Sequence, residues 1–341
     1  MSYCRNKVVR FWKAVRICRD ILAYYCGRRR NTICPFLWTM STIYGPQGNV
    51  YACCMKAPWS VGNIHKQTLG KIWHTSIRLG FARWLSMHGA LHCFEQCFMA
   101  KQPVHLPTIV PEYPFEVMIE MGTQCNLQCL MCSQDHTSTS MIDYAVLKNN
   151  VDWKRINRII FTGGEVLHMP GFREFYLWVT RDHGHQANVL SNGVLIDDAW
   201  ARVLLAWSQW IYISINAATE KTYTRVCRSR DFSKVIGNIK NLVALKRELK
   251  SSSLIEMHFT IVPLNVQEII PAIYLADSLG CDKISFSMDA GGSQILENSG
   301  LKEEIRAAIT DMIRYKRVAV TFNSEWLNAM GICDTEKEGA G

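Results

Sequence analysis

Three cysteines fall within eight residues of this chain, in GTQCNLQCLMCSQ (residues 122–134): Cys125, Cys129 and Cys132. As thiolates they are soft metal ligands. A structural zinc site closes its tetrahedron with four ligands, and disulfides consume thiols in pairs, so three thiols in one loop suit neither. An iron–sulfur cube takes four thiolates for its four irons. Three local thiolates leave one iron open to a ligand from outside the chain. The competing readings are a degraded zinc site or chance clustering.

The chain holds 14 cysteines in 341 residues. Its N-terminus, MSYCRNKVVRFWKAVRICRD, scatters charges through its apolar positions, unlike a cleavable secretory signal. No apolar run reaches the roughly 18 residues of a membrane-spanning helix, so the expected location is cytoplasmic. In that compartment a high cysteine count argues for metal or catalytic chemistry rather than a disulfide framework. A second patterned group lies upstream, at Cys34, Cys53, Cys93 and Cys97, with Cys54 as an adjacent alternative. The remaining cysteines, Cys227 and Cys281 among them, read as small buried hydrophobes.

The elements that must position the three-cysteine loop are short apolar runs alternating with helical patterns. FEVMIEM (115–121), RIIFTG (158–163), ANVLSNG (187–193), WIYISIN (210–216), LIEMHFTIV (254–262) and KISFSM (283–288) read as strands, several continuously apolar as buried parallel strands are. Helices are expected over 232–249, 266–280 and 301–316, with VAVTF (318–322) a further strand. This alternation predicts an α/β fold: a partial (β/α)6 TIM-type parallel barrel spanning 115–325. In such a barrel chemistry sits on the loops leaving the C-terminal strand ends, and the cysteine loop leaves the first strand there. Upstream, residues 32–100 read as a small cysteine-rich module. It holds a hairpin at TIYGPQGNVYACC and a helix that places Leu69, Ile72, Trp73, Ile77, Phe81, Trp84 and Leu85 on one face. A proline-rich linker (101–114) separates the two, and 326–341 is expected to be a tail.

The CxxxCxxC loop after the first strand resembles the radical SAM superfamily. That resemblance implies a four-iron cluster on Cys125, Cys129 and Cys132 whose open iron is chelated by S-adenosylmethionine (SAM). Electron donation, from a reductase such as flavodoxin or ferredoxin, then cleaves SAM to a 5′-deoxyadenosyl radical. By the same resemblance Met131 packs near the adenine. FTGGE, at the second strand end, is similar to the family's GGE element, so Gly163 and Gly164 allow close approach and Glu165 offers a carboxylate to the methionine ammonium. SNG and SIN, ending the third and fourth strands, imply contacts from Asn192 and Ser214. SINAATEKTYTRVCR resembles the family's SIDGAT…TY…R segment, implying that Arg228, with Arg225 as runner-up, pairs with the SAM carboxylate. Asn216 and Ala217 depart from the usual Asp and Gly, which questions any role needing a carboxylate there. Asn265 also matches the family. The resemblance covers about 114–290.

The upstream module resembles the opening of a SPASM domain: Cys34, thirteen residues, Gly48, four residues and Cys53, followed by GNI (62–64) and Cys93-x3-Cys97. The resemblance implies an auxiliary iron–sulfur cluster, with zinc the alternative for the same four thiols. SPASM modules usually follow the barrel, whereas this one precedes it. SPASM-bearing relatives commonly modify peptides, which makes a peptide the first expected substrate. A sugar or other small molecule, or a non-catalytic iron–sulfur scaffold, are the alternatives.

The net charge is +9, and +8 of it lies in residues 1–30, where nine basic residues face the single acid Asp20. With the rest of the chain near neutral, a nucleic-acid-binding core is not indicated. The arm (1–31) has an amphipathic pattern whose basic face suits a solvated helix docked on the domain, a membrane surface or an acidic partner.

Overall fold

The computed structural model describes residues 34, 36–54, 59–87, 110–135, 138–288, 300–314 and 317–322. The basic arm, Cys93, Cys97, most of the linker and the tail lie outside the described residues. Among the described residues ten strands form one sheet: β1 (Met40–Tyr44), β2 (Asn49–Tyr51), β3 (Gly62–Asn63), β4 (Glu116–Glu120), β5 (Arg158–Thr162), β6 (Ala187–Ser191), β7 (Trp210–Ser214), β8 (Leu254–Ile261), β9 (Lys283–Met288) and β10 (Ala319–Phe322). Their order is β10-β9-β8-β7-β6-β5-β4-β1-β2-β3. Strands β4 to β9 run parallel, each to the next, with helices in the connections. This is the partial (β/α)6 barrel architecture expected from the alternating pattern. Among the described residues, no helix is long and apolar enough to cross a membrane.

The pleat divides each barrel strand between two environments. One face presents Ile119, Phe161, Val189, Ile211, Ile213, Met257, Phe259 and Ile284, all buried in the core. The helices cover that face, α3 (Tyr144–Asn150) with its buried Leu147 and α4 (Phe172–Leu177) with Phe172 and Phe175. Helix α7 (Phe232–Glu248) buries Val235, Ile239 and Leu242, and α5 (Asp198–Trp207) begins where the Asp197 carboxylate accepts from Trp200 N at 2.8 Å. The opposite face carries Glu120, Thr162, Tyr212, Ser214, Glu256, His258, Thr260, Ser285 and Ser287. It is the inside of the barrel and holds most of its polar strand residues.

The N-terminal module is not a separate body. Its hairpin strand β1 pairs parallel with β4 over all five residues, so it extends the barrel sheet beside the strand that bears the cysteine loop. Side chains fasten it further: Asn150 Nδ2 donates to Ile64 O at 2.8 Å, and Trp73 Nε1 to Pro111 O at 2.8 Å. The helix expected as one stripe is two, α1 (Leu69–Thr75) and α2 (Ile77–Met87). Ser76 breaks it by adopting an extended conformation, its hydroxyl bonding Val61 O and its N–H capping Ile72 O. The break turns Ile77 outward, to 88% exposure, and leaves Leu69, Ile72 and Trp73 as the buried face.

Phe161 sits at the centre of an aromatic cluster, with ring centroids 5.5 Å from Phe172, 5.8 Å from Phe175 and 6.1 Å from Tyr176. All three contacts are edge-on, the favoured arrangement. Phe161→Ala is expected to lower unfolding stability by about 3–5 kcal/mol, read from the urea midpoint of the purified chain. A loss under about 1 kcal/mol would mean the helices collapse into the space.

Candidate functional site

Three strand ends meet at the cysteine loop, and backbone bonds lock them. After β5 the chain turns through Gly163 and Gly164 and lies against the start of the loop: Gly164 N donates to Gly122 O and Glu165 N to Gln124 O, both at 2.8 Å. Gly163 has φ +142°, outside the usual range of an L side chain. A Cβ on Gly164 would lie 2.0 Å from Gln124 O and 2.5 Å from Thr123 O. Glycine is therefore required at both positions by approach and conformation.

Glu165 joins this pair to β6. Its side chain is fully buried, and its carboxylate accepts from Asn192 N at 2.6 Å, Ser191 Oγ at 3.0 Å and Leu167 N at 3.2 Å. Asn192 continues the chain of contacts, donating from Nδ2 to Asn126 Oδ1 at 2.7 Å inside the cysteine loop. Burial pushes the Glu165 carboxyl up to about 7, against the pull of its three donors.

The far side of the loop rests on helix α6 (Glu220–Val226). Leu130 N donates to Val226 O at 2.8 Å. Cys227, buried behind this contact, donates its thiol to Ile215 O at 3.6 Å, and its nearness to Cys129 is the main pull holding the Cys129 thiol below its ordinary value. Burial opposes it, and the charge of Arg228 adds a smaller downward pull. Arg228 is thus the cation acting on the loop, from a positive φ of 53°. Arg225 lies exposed in the last turn of α6. Desolvation pushes Cys125 up to about 11 and raises Cys132 as well. Met131 is partly buried against the core, and Ser214 closes β7 beside His258 of β8.

Two buried amides lock the other half of the barrel rim. Asn216 Oδ1 accepts from Thr260 N at 2.7 Å, so at the position where the family pattern has Asp, an uncharged amide bridges β7 and β8. Asn265 has no exposed surface; its Nδ2 donates to Asn216 O and Thr260 O, and its Oδ1 accepts from Val262 N. Its polar atoms are directed at its own chain. Cys227 and His258 are the residues that sequence reasoning did not single out here. The alternation K-I-S-F-S-M in β9 is the signal that could have pointed to a polar inner face.

Comparison with known proteins matches two stretches of the sequence to families. The model of the radical SAM superfamily matches residues 119–260, and that of an iron–sulfur cluster-binding domain, SPASM, matches 34–97. Residues 119–260 are a radical SAM domain. Its cofactors are a four-iron cluster and SAM, and the SPASM domain binds further iron–sulfur clusters. Curated relatives include a probable GTP 3′,8-cyclase of Saccharolobus islandicus (strain Y.N.15.51 / Yellowstone #2), 22% identical over 177 residues, covering 50% of this chain and 55% of the relative. The chain spans about half the length of the curated relatives it matches. Solved structures that resemble it include Streptococcus suis SuiB (14% identity, TM-score 0.46, covering 61% of this chain and 49% of SuiB). Another is anSMEcpe with bound AdoMet (17% identity, TM-score 0.49, covering 61% and 64%).

The residues of the radical SAM domain fit its cofactors. Three thiols share one loop, one of them half-buried in a cation's field, and the Gly163–Gly164 turn packs its backbone directly on that loop, where any Cβ would meet the carbonyl oxygens of residues 122–124. Among the described residues no three Cys, His, Asp or Glu side chains close on a single metal ion. A cluster attaches each thiolate to a different iron, so its ligands need not share one tetrahedron.

Two outcomes follow from this site. Gly164→Ala must push the 123–124 backbone aside, so reconstituted protein is expected to lose the iron and the visible absorbance contributed by the barrel loop, while far-UV circular dichroism stays near wild type. Retained iron would show that the loop tolerates the displacement. For Glu165, a carboxyl raised from 4.5 to about 7 favours the protonated folded state, so its contribution is full below 4.5 and is lost as pH rises through 7. Urea midpoints of the metal-free protein should fall across that window, by on the order of 3 kcal/mol from this group. That component should be missing from Glu165→Gln.

Proposed function

We propose that the chain is a radical SAM enzyme that abstracts a hydrogen atom from a peptide or protein substrate. Cys125, Cys129 and Cys132 would hold the four-iron cluster, and Cys34, Cys53, Cys93 and Cys97 an auxiliary cluster. When bound, the reduced cluster and SAM together supply a 5′-deoxyadenosyl radical, the species that removes the hydrogen atom. The chain's own residues bind, orient and exclude water. Gly163 and Gly164 let backbone approach the methionine end of SAM, Arg228 supplies a cation for its carboxylate, and Met131 an apolar contact for its adenine. Asn192 and Ser214 offer uncharged hydrogen bonds at the neighbouring strand ends. Glu165 acts as a positioning residue, because its oxygens already accept from Asn192, Ser191 and Leu167. A reductase of the flavodoxin or ferredoxin type would deliver the electron.

The observation that carries this reading is the docking of Gly163–Glu165 on the opening of the three-cysteine loop, with Arg228 beside Cys129. The peptide assignment rests on the SPASM match. A nucleotide substrate is the second reading, favoured by the name of the probable GTP 3′,8-cyclases. Against it, the inner-face cation of β9, Lys283, already lies 3.7 Å from Glu256, which disfavours a phosphate there.

The test is anaerobic reconstitution with iron and sulfide, then reduction with SAM present. Wild type should hold about eight irons per chain as two four-iron clusters and release 5′-deoxyadenosine. Cys129→Ala should lose that product and about half of the iron. Protein loaded with both clusters that makes no 5′-deoxyadenosine would overturn the enzymatic reading. About four irons with one zinc would replace the auxiliary cluster by a zinc site.

A further inference from the structure

The inner faces of β8 and β9 carry a polar network that the cofactor site does not use. Register places His258 opposite Ser285 and Thr260 opposite Ser287. The two ring nitrogens of His258 contact Ser285 Oγ at 2.9 Å and Ser287 Oγ at 2.8 Å. Thr260 Oγ1 lies 3.3 Å from Ser287 Oγ. Tyr212, on β7, stacks against the imidazole with centroids 4.6 Å apart. The opposite faces of the same strands are apolar and packed under helices, with Met257, Phe259 and Ile284 buried. A polar lining on the inside of a sheet is costly unless every group finds a partner, and nothing in the packing of the core requires it.

Its chemistry is selective. Burial holds His258 neutral, down to about 3, so one nitrogen donates and the other accepts. Four hydroxyls, those of Tyr212, Thr260, Ser285 and Ser287, and the imidazole can each accept and donate. The face therefore offers hydrogen bonds of both kinds without charge. Below it on β8, the Glu256 carboxylate is closed off by Trp210 Nε1 at 2.9 Å and by Lys283. The platform is also held rigid: Thr260 is fixed through its N–H by Asn216 and through its C=O by Asn265. Its residues are half-buried and keep some surface exposed, and Ser214, which ends β7, lies in register with His258.

We infer that Thr260, Ser285 and Ser287, arranged around His258, form the substrate platform of the barrel, and that it takes an uncharged polar group, an amide of a peptide backbone or side chain. The inference deepens the peptide reading above and rests on it for the identity of the substrate class. A carboxylate, an ammonium or a phosphate would find no counter-charge on the platform.

The test uses the reconstituted full chain labelled with 13C at histidine, with N-acetylalanine N-methylamide as probe and N-acetylalanine, its carboxylate counterpart, as control. The His258 signal is assigned by its loss in His258→Asn. The diamide is expected to shift it saturably and the carboxylate not. Thr260→Val and Ser287→Ala, shown folded by circular dichroism, should each weaken the diamide about five- to tenfold, the worth of one hydrogen bond. No saturable shift up to the solubility limit, equal binding of the carboxylate, or unchanged affinity in both variants each overturns the inference. Wild type that makes 5′-deoxyadenosine yet shows no shift removes the platform alone. Wild type that binds the diamide yet makes no 5′-deoxyadenosine removes the enzymatic reading and leaves the platform standing.

Discussion

The buried carboxylate of Glu165 is the interaction on which the rest of the site depends. A carboxyl group without exposed surface is tolerated only if donors replace its water, and here they come from the turn after β6 and from its own 3-10 turn. The same residue's backbone N–H is bound to Gln124. One residue thus fixes the ends of β4, β5 and β6 relative to each other. The cysteine loop, which has few contacts of its own, inherits a defined path from that bond and from Val226 on the other side. The glycine pair before Glu165 makes the arrangement possible, since any side chain at Gly164 would occupy the carbonyl oxygens of the loop.

The barrel interior is divided accordingly. On the β4–β6 side the rim is drawn together by a charge-bearing group and carries the metal ligands. On the β7–β9 side it is drawn together by two amides, Asn216 and Asn265, and carries hydroxyls and a neutral imidazole. The replacement of the family's usual aspartate by Asn216 belongs to this division. Its Oδ1 makes the bond to Thr260 N that a carboxylate oxygen would also make, without placing a negative charge above an uncharged face. The structure thereby gives the departure from the family pattern a positive role, as a bridge between strands.

Much of this was legible in the residues. CxxxCxxC, GGE and the six strand–helix alternations depend on local spacing, and local spacing is what a sequence displays. The strand positions agree with the expected runs to within a residue or two at each end. What escaped depends on contacts between distant segments. Cys227 read as one more scattered cysteine, because nothing near it in sequence indicates that α6 delivers it to Cys129. His258 lies in LIEMHFTIV, whose apolar content hides the alternation of its inward residues; only the register with β9 assembles the network. The break at Ser76 was missed because the apolar stripe of 69–85 runs across it, and the serine's partner, Val61, comes from another turn.

The position of the SPASM module follows from β1, a strand whose partner could not be read from its own five residues. Because β1 runs parallel to β4, its start lies at the N-terminal end of the barrel, away from the cysteine loop. Cys34 precedes β1 by one helical turn, and Cys53 follows β2, which runs back antiparallel towards that same end. A five-residue strand spans about 16 Å, so Cys34 and Cys53 lie towards the opposite rim from Cys125, Cys129 and Cys132. In the proposed ligand set, whose Cys93 and Cys97 lie outside the described residues, a cluster anchored on Cys34 and Cys53 would sit about a strand length from the C-terminal strand ends. Its contribution would reach the site through the sheet, by fixing β1 and hence the neighbouring β4, or as a stopping place for an electron. Module order is therefore no obstacle to one working unit, since sheet pairing, rather than the linker, joins module to barrel.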